Sequence, residues 1–163
     1  MTNSGVFTAD SFWQHEPLGW THAGHPSGVA AMFKKGILPM SNFSFVLLYV
    51  ENPPASAAFY ADLLGRPVID SSPGFAMLPL SDGVMLGLWL RKNVEPAAVG
   101  QPGAGEVAFT VADAAAVKAT CADWKQRGLK IIQEPVQMDF GHTFVATDPD
   151  GHRLRVFVPA ASA

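Results

Sequence analysis

The chain has 163 residues, of which 48% are hydrophobic and 15% are charged, and its formal net charge is −3. This composition is sufficient for a packed core and argues against general disorder, while the acidic balance argues against a nucleic-acid partner, which requires a basic face. The single cysteine, Cys121, cannot form an internal disulfide, which favours a reducing, cytoplasmic location. No apolar stretch approaches the ~20 residues of a membrane span, and no basic start precedes an apolar run, so we expect no membrane association and no secretion signal.

Residues 1–41 show no clear hydrophobic period. Their scattered aromatic residues are interpreted as an arm that lies on the domain or on a partner subunit, and an extension without function is the open alternative. This segment also contains three histidines at spacings of seven and three, His15, His22 and His25. Because no cluster of carboxylates or cysteines accompanies them, we do not interpret them as a metal site.

The first regular pattern is predicted over residues 42–92. Residues 43–50 are apolar at both alternating sets of positions, which predicts a strand with two apolar faces and therefore a central one. Asn52-Pro53-Pro54 ends this strand and predicts a helix from about Pro54 to Leu64, capped by Gly65. Turn residues then separate three short predicted strands, Pro67–Ser71, Phe75–Leu80 and Val84–Arg91.

Residues 93–104 are rich in proline and glycine and predict a linker. Residues 105–159 then repeat the first pattern. A strand over Glu106–Val111 precedes a helix that Asp113 caps and that runs to about Arg127, and three more strands follow, beginning with Leu129–Gln133 and Phe140–Thr147. The order strand, helix and three strands therefore occurs twice, which predicts an α+β fold of two tandem βαβββ modules.

The last two predicted strands are joined by Asp148-Pro149-Asp150-Gly151. Proline presets its own φ, the two aspartates can bond the local backbone, and Gly151 accepts a positive φ. After this turn Arg153, Arg155 and Phe157 alternate with apolar residues. The strand therefore has one face for a hydrophobic layer and one face that tolerates cations.

The duplication, the helix sequence AFYADLLG and the turn sequence DPDG resemble the vicinal oxygen chelate superfamily, which contains glyoxalase I, extradiol dioxygenases, fosfomycin-resistance enzymes and bleomycin-binding proteins. The resemblance covers residues 42–159, and FGHTFVATDPDGHRLRV together with the strand ending at Trp89 is similar to the phenazine-resistance type of member. It implies a half-barrel in each module, a ligand on the concave side and a homodimer.

The resemblance also implies where metal-using members hold their ion. The four ligand positions fall on Phe45, on Leu88 or Trp89, on Glu106 and on Arg155. Of these only Glu106 has lone pairs for a cation, and a catalytic ion needs about three protein ligands. We therefore expect no metal and no cofactor. Glu106 and Arg155 are expected to face each other, either as a replacement for the charge of the metal or as a structural ion pair.

The predicted ligand is a planar aromatic, apolar or weakly anionic small molecule, because the expected cleft is mostly apolar with a few polar groups. Its predicted lining consists of Phe45, Leu47, Tyr49, Phe75, Trp89, Phe140 and Phe144, with Glu106 and Arg155 as polar groups. Trp89 is interpreted as a stacking wall, with a core tryptophan as the alternative. A second aromatic wall of the phenazine-resistance type would fall near Val136, which is not aromatic.

Three other side chains have simpler interpretations. Trp124 is expected to lie in the core, and His142 and His152 are expected to be solvated or to cap the turn, with ligand contact as the alternative.

No nucleophile is paired in a motif with a base, so no catalytic residue is predicted. The sequence therefore favours a protein that sequesters a planar aromatic antibiotic or metabolite over an enzyme. A metal-dependent glyoxalase-like lyase or dioxygenase is the alternative, and a metal-free isomerase with Glu106 as general base is a third.

Overall fold

A computed structural model describes residues 43–160 of the chain. The arm predicted for residues 1–41 and its three histidines lie outside the described residues. Neither helix of the described part is long and apolar enough to cross a membrane.

The first module consists of one helix and one four-stranded sheet. Its elements are β1 (Phe45–Val50), α1 (Pro53–Leu64), β2 (Asp70–Ser71), β3 (Phe75–Ser81) and β4 (Val84–Leu90). The sheet order is β1-β4-β3-β2, with β1 parallel to β4 and the other pairs antiparallel. Helix α1 begins as predicted from local chemistry, since the side chain of Asn52 accepts a hydrogen bond from the Ala55 N–H at 3.2 Å. It ends at Gly65, which has the left-handed φ of 61°.

The second module repeats this arrangement with β5 (Glu106–Thr110), α2 (Ala114–Gln126), β6 (Lys130–Met138), β7 (Gly141–Thr147) and β8 (Arg153–Pro159). Its sheet order is β5-β8-β7-β6, and β5 is parallel to β8. Asp113 accepts from the Ala116 N–H at 2.7 Å and so caps α2. The predicted α+β fold of two βαβββ modules is confirmed.

Three predicted elements differ from the structure. β1 lies at the end of its sheet and is not central. Both of its faces are apolar for another reason: Val46, Leu48 and Val50 belong to the core layer, and the alternate residues line the opposite face. β2 is only two residues long, and β6 extends to Met138, beyond the predicted end at Gln133.

The core lies between each sheet and its helix, and the buried side chains of both modules form one cluster. The turn between β7 and β8 joins the modules. Asp148, only 5% exposed, accepts a hydrogen bond of 2.7 Å from the Tyr60 hydroxyl on α1, and Asp150 accepts from the Glu51 N–H at 3.0 Å. Within the turn Asp148 also accepts from two backbone N–H groups, and Gly151 has a φ of 96°. The predicted roles of Asp148 and Gly151 are confirmed, whereas Asp150 bonds to Glu51 and Ser56 of the first module and not to the local backbone.

Candidate functional site

The first sheet has an apolar surface on the side opposite α1. Alternation along β1, β3 and β4 brings nine side chains or glycine positions to this side, which we call the apolar face: Phe45, Leu47, Tyr49, Phe75, Met77, Pro79, Met85, Gly87 and Trp89. Asp70 of β2 pairs with Met77 and lies on the same side, at the edge of the face. The predicted lining residues of this module all belong to it. Leu88 points the other way and is fully buried, so Trp89 is the residue of this pair on the apolar face.

Aromatic side chains cluster at one end of the apolar face. Tyr49 and Trp89 are direct neighbours across β1 and β4, and their rings meet edge to face with centroids 6.4 Å apart. Phe75 is the neighbour of Trp89 on the other side, across β3 and β4. This part of the sheet therefore offers a cluster of aromatic side chains against which an aromatic molecule can pack.

Gly87 lies in the middle of the apolar face and was not predicted from the sequence. A Cβ atom on Gly87 would lie 2.5 Å from Cδ2 of Leu47 and 3.1 Å from Cζ of Phe75. The two neighbouring side chains thus extend over the glycine. The sequence did contain one signal: a lone glycine inside an apolar strand often marks a place where another group approaches the backbone closely.

In the second sheet, Arg155 holds Glu106 with two hydrogen bonds. Nε donates to Oε2 at 2.5 Å and Nη2 donates to Oε1 at 3.0 Å. Nη1 donates to the side chains of Thr143 at 3.0 Å and Gln133 at 3.3 Å, and the guanidinium lies 5.7 Å from the ring centre of Phe140. The predicted pairing of Glu106 with Arg155 is present, and it has the bidentate geometry in which arginine binds carboxylates best.

This contact changes the acidity of Glu106. The hydrogen bonds from Arg155 lower the pKa of the Glu106 carboxyl below its ordinary value, against the opposing effect of partial burial. A carboxylate with a lowered pKa is a weaker proton acceptor at neutral pH. The geometry therefore disfavours Glu106 as a general base.

The four positions implied for a metal do not fit a divalent cation. Phe45 and Trp89 offer no donor atom, Arg155 is a cation, and both carboxylate oxygens of Glu106 accept hydrogen bonds from it. Within residues 43–160, no three His, Cys, Asp or Glu side chains are grouped as a metal site would require. A catalytic ion bound through the protein needs about three such ligands.

The prediction that Phe144 lines the cleft is wrong. Its side chain is fully buried on the helix side of β7 and meets Trp124 of α2 edge to face, with ring centroids 5.3 Å apart. Trp124 is therefore a core residue, as predicted. Phe140 lies on the opposite side, where it is 45% exposed and contacts Phe157.

The two histidines near the last turn have different surroundings. The ring of His152 lies 3.1 Å from the carbonyl oxygen of Tyr49, across the junction of the modules. It also lines a cavity of about 250 Å³ together with Tyr49, Arg91 and linker residues 98–105, which the sequence did not predict. Nε2 of His142 is buried and has no hydrogen-bond partner among the described residues.

The fold and these residues define a member of the glyoxalase class of proteins. The model of the Glyoxalase/Bleomycin resistance protein/Dioxygenase superfamily matches residues 42–156, and the chain belongs to this family.

Particular relatives can then be named. The phenazine antibiotic resistance protein EhpR of Enterobacter agglomerans is 27% identical over 113 residues, which cover 68% of this chain and 86% of EhpR. A protein of Agrobacterium tumefaciens solved by solution NMR is 49% identical with a TM-score of 0.69, and the match covers 75% of this chain and 100% of that one. A lactoylglutathione lyase of the same organism is 21% identical with a TM-score of 0.60, covering 74% of this chain and 96% of the lyase. The likeness to the lyase shows the fold alone.

Proposed function

We propose that this chain is a metal-independent binding protein that sequesters a planar aromatic antibiotic or metabolite. The observation that carries the proposal is the bidentate contact between Arg155 and Glu106. Arg155 engages Glu106, the one carboxylate among the four implied ligand positions, and its guanidinium places a fixed positive charge next to that carboxylate. Binding and sequestration need no Lewis acid and no proton acceptor, so this arrangement is compatible with them.

The apolar face supports the aromatic character of the ligand. Trp89, Tyr49 and Phe75 are neighbours on it, and stacking of a flat ring on one aromatic side chain contributes about 1–3 kcal/mol in the comparable case of stacked bases. The relative EhpR is a phenazine antibiotic resistance protein, which supports a fused-ring antibiotic as the ligand class. The single cysteine, Cys121, is buried, which agrees with a cytoplasmic protein that has no thiol chemistry.

The proposal includes a homodimer with two clefts at the subunit interface. β1 and β5 lie at the ends of their sheets, and each exposes residues of the face opposite its helix. A second copy would cover these edges and enclose a ligand more completely than one sheet face does. Sedimentation equilibrium of the full chain tests this part, and a monomer at micromolar concentration would contradict it.

The test of ligand binding is isothermal titration calorimetry with phenazine and with a non-planar apolar compound of similar volume. We expect phenazine alone to bind, and we expect Trp89→Leu to weaken it by at least about tenfold, which corresponds to about 1.4 kcal/mol. The matched control is Phe59→Leu, because Phe59 lies on α1 and contacts Tyr60 on the core side. Equal binding by the Trp89→Leu and Phe59→Leu variants would contradict the proposal.

A metal-dependent lyase or dioxygenase is the alternative that metal analysis decides. We expect protein purified without chelators to contain well under one equivalent of zinc, nickel, iron or manganese per chain. The metal-independent proposal would be overturned if the natural chain held about one equivalent of any of these ions and a Glu106→Gln variant lost it.

A further inference from the structure

The second sheet exposes a face that differs in chemistry from the apolar face. Cα pairing across its four strands places fifteen residues on the side opposite α2, which we call the polar face. By strand they are Glu106, Ala108 and Thr110; Arg153, Arg155, Phe157 and Pro159; Gly141, Thr143, Val145 and Thr147; and Lys130, Gln133, Val136 and Met138. Three cations and one carboxylate belong to this set. Glu134 is not counted with this face, since its side chain reaches Lys125 of α2 on the other side of the sheet.

The charges of the polar face are concentrated in one row across the strands. Glu106, Arg153, Thr147 and Lys130 are consecutive neighbours in that row. Arg155, in the next row, neutralises Glu106 through the bidentate contact. With three cations and one carboxylate, the face keeps a net positive charge, although Arg153 also has a longer contact with Glu106.

Arg153 uses fewer of its guanidinium N–H donors within the described residues than Arg155 does. Among residues 43–160 the one hydrogen bond of Arg153 to a side chain is the contact of Nη1 with Glu106 Oε1, which is long at 3.4 Å, and its side chain is 46% exposed. Arg155, by contrast, is 18% exposed and donates to three different side chains. A guanidinium with free donors matches a carboxylate in geometry as well as in charge.

The polar face becomes apolar away from the charged row. Phe157 lies four residues beyond Arg153 on β8, a distance of about 13 Å along a strand. Around it lie the exposed side chains of Phe140, Val136 and Met138. An acidic ligand on this face therefore meets a cation at one end and an apolar surface at the other.

We propose that the ligand is a planar aromatic compound with a carboxylate at its edge, and that Arg153, assisted by Lys130, binds this carboxylate. This inference rests on the proposed sequestering function and adds the charge of the ligand to it. Arg153 determines specificity between acidic and neutral rings, and the fixed pair of Glu106 and Arg155 adjoins the bound acid without binding it.

The test compares phenazine with its ring monocarboxylic acid at pH 7 and low salt, by calorimetry on the full chain. We expect the acid to bind about tenfold more tightly or better, because a hydrogen bond to a charged group is stronger than one between neutral groups. Arg153→Gln should reduce this preference to below about threefold and leave the affinity for phenazine unchanged. The control is Lys118→Gln, which removes an exposed cation from α2, on the other side of the sheet, and should keep the full preference.

Ionic strength gives an independent measurement. Raising it from about 0.01 M to 0.15 M shortens the Debye length from about 30 Å to 8 Å, so the preference for the acid should shrink while the affinity for phenazine stays constant. Equal affinity for both compounds in the natural chain, or an undiminished preference in Arg153→Gln, overturns the carboxylate inference and leaves the sequestering function standing. Failure of the natural chain to bind either compound overturns both.

Discussion

Replacing Arg155 by methionine removes the guanidinium that holds Glu106 while keeping most of the apolar stem volume. Two hydrogen bonds to a carboxylate are lost, together with those to Thr143 and Gln133. Breaking a fully buried pair costs about 3–5 kcal/mol, but Glu106 is 26% exposed and can be partly solvated. We therefore expect a loss of about 2 kcal/mol in the free energy of unfolding, or about 4–8 °C in Tm for a chain of this length. Urea unfolding followed by far-ultraviolet circular dichroism measures it.

The matched control is the double variant Glu106→Gln/Arg155→Met. It removes both charges of the bidentate pair, so we expect it to recover most of the loss and to lie within about 1 kcal/mol of the natural chain. A single variant that costs less than about 0.5 kcal/mol would show that the pair behaves as an ordinary surface contact. A double variant as unstable as the single one would show that the arginine acts through packing and not through charge.

The same pair predicts a dependence of stability on pH. Because the pKa of Glu106 is lowered in the folded state, its contribution is fully present above the ordinary value of 4.5 and is lost as pH falls through the folded pKa. The stability difference between the natural chain and Arg155→Met should therefore be constant from pH 7 to about 5 and shrink below about pH 4. A difference that grows as the pH falls would contradict the assigned direction.

Three further substitutions test individual features of the fold and the site. Tyr60→Phe leaves a buried oxygen of Asp148 without its donor, so we expect a loss of about 2 kcal/mol in unfolding free energy by urea titration. Phe144→Leu should cost about 1–2 kcal/mol of stability and leave phenazine affinity unchanged by calorimetry, because the ring lies in the core. A Cβ on Gly141, which has a φ of 145°, would lie 2.0 Å from the carbonyl oxygen of Val158, so Gly141→Ala should lower stability by more than about 2 kcal/mol in thermal melts. A neutral result for any of them would contradict the geometry that motivates it.

The elements that the sequence predicts best are those fixed by local chemistry. Asn52 and Asp113 cap the helices as their side chains allow, and Gly65 ends the first helix with a positive φ. The turn at residues 148–151 closes through its own aspartate. Each of these features depends on contacts within about five residues, which a sequence pattern contains.

The features that the sequence did not predict depend on which side of a sheet a residue faces. In β7 both Phe144 and Val145 are almost fully buried. A sequence period of two shows that these two side chains face opposite sides of the sheet, but it does not show which of them faces the helix. β1 was predicted to be central because both of its faces are apolar, and this pattern does not show whether a strand lies on each side of it. The pairing of Glu106 with Arg155 was predicted from the resemblance, whose implied metal positions place the two residues together. In the structure they belong to parallel neighbouring strands, although the register pairs Glu106 with Arg153 and not with Arg155.

The two modules have the same order of strands, and the bidentate contact between Arg155 and Glu106 in the second module is the basis for proposing binding over catalysis. A metal ion at the implied position would supply a vacant coordination site that can polarise a substrate. A guanidinium supplies a delocalised positive charge and N–H donors, and it has no vacant site. In this chain that charge is already balanced by Glu106, so the remaining attraction for an anion comes from Arg153 and Lys130. Such a surface can orient an acidic ring against an apolar wall.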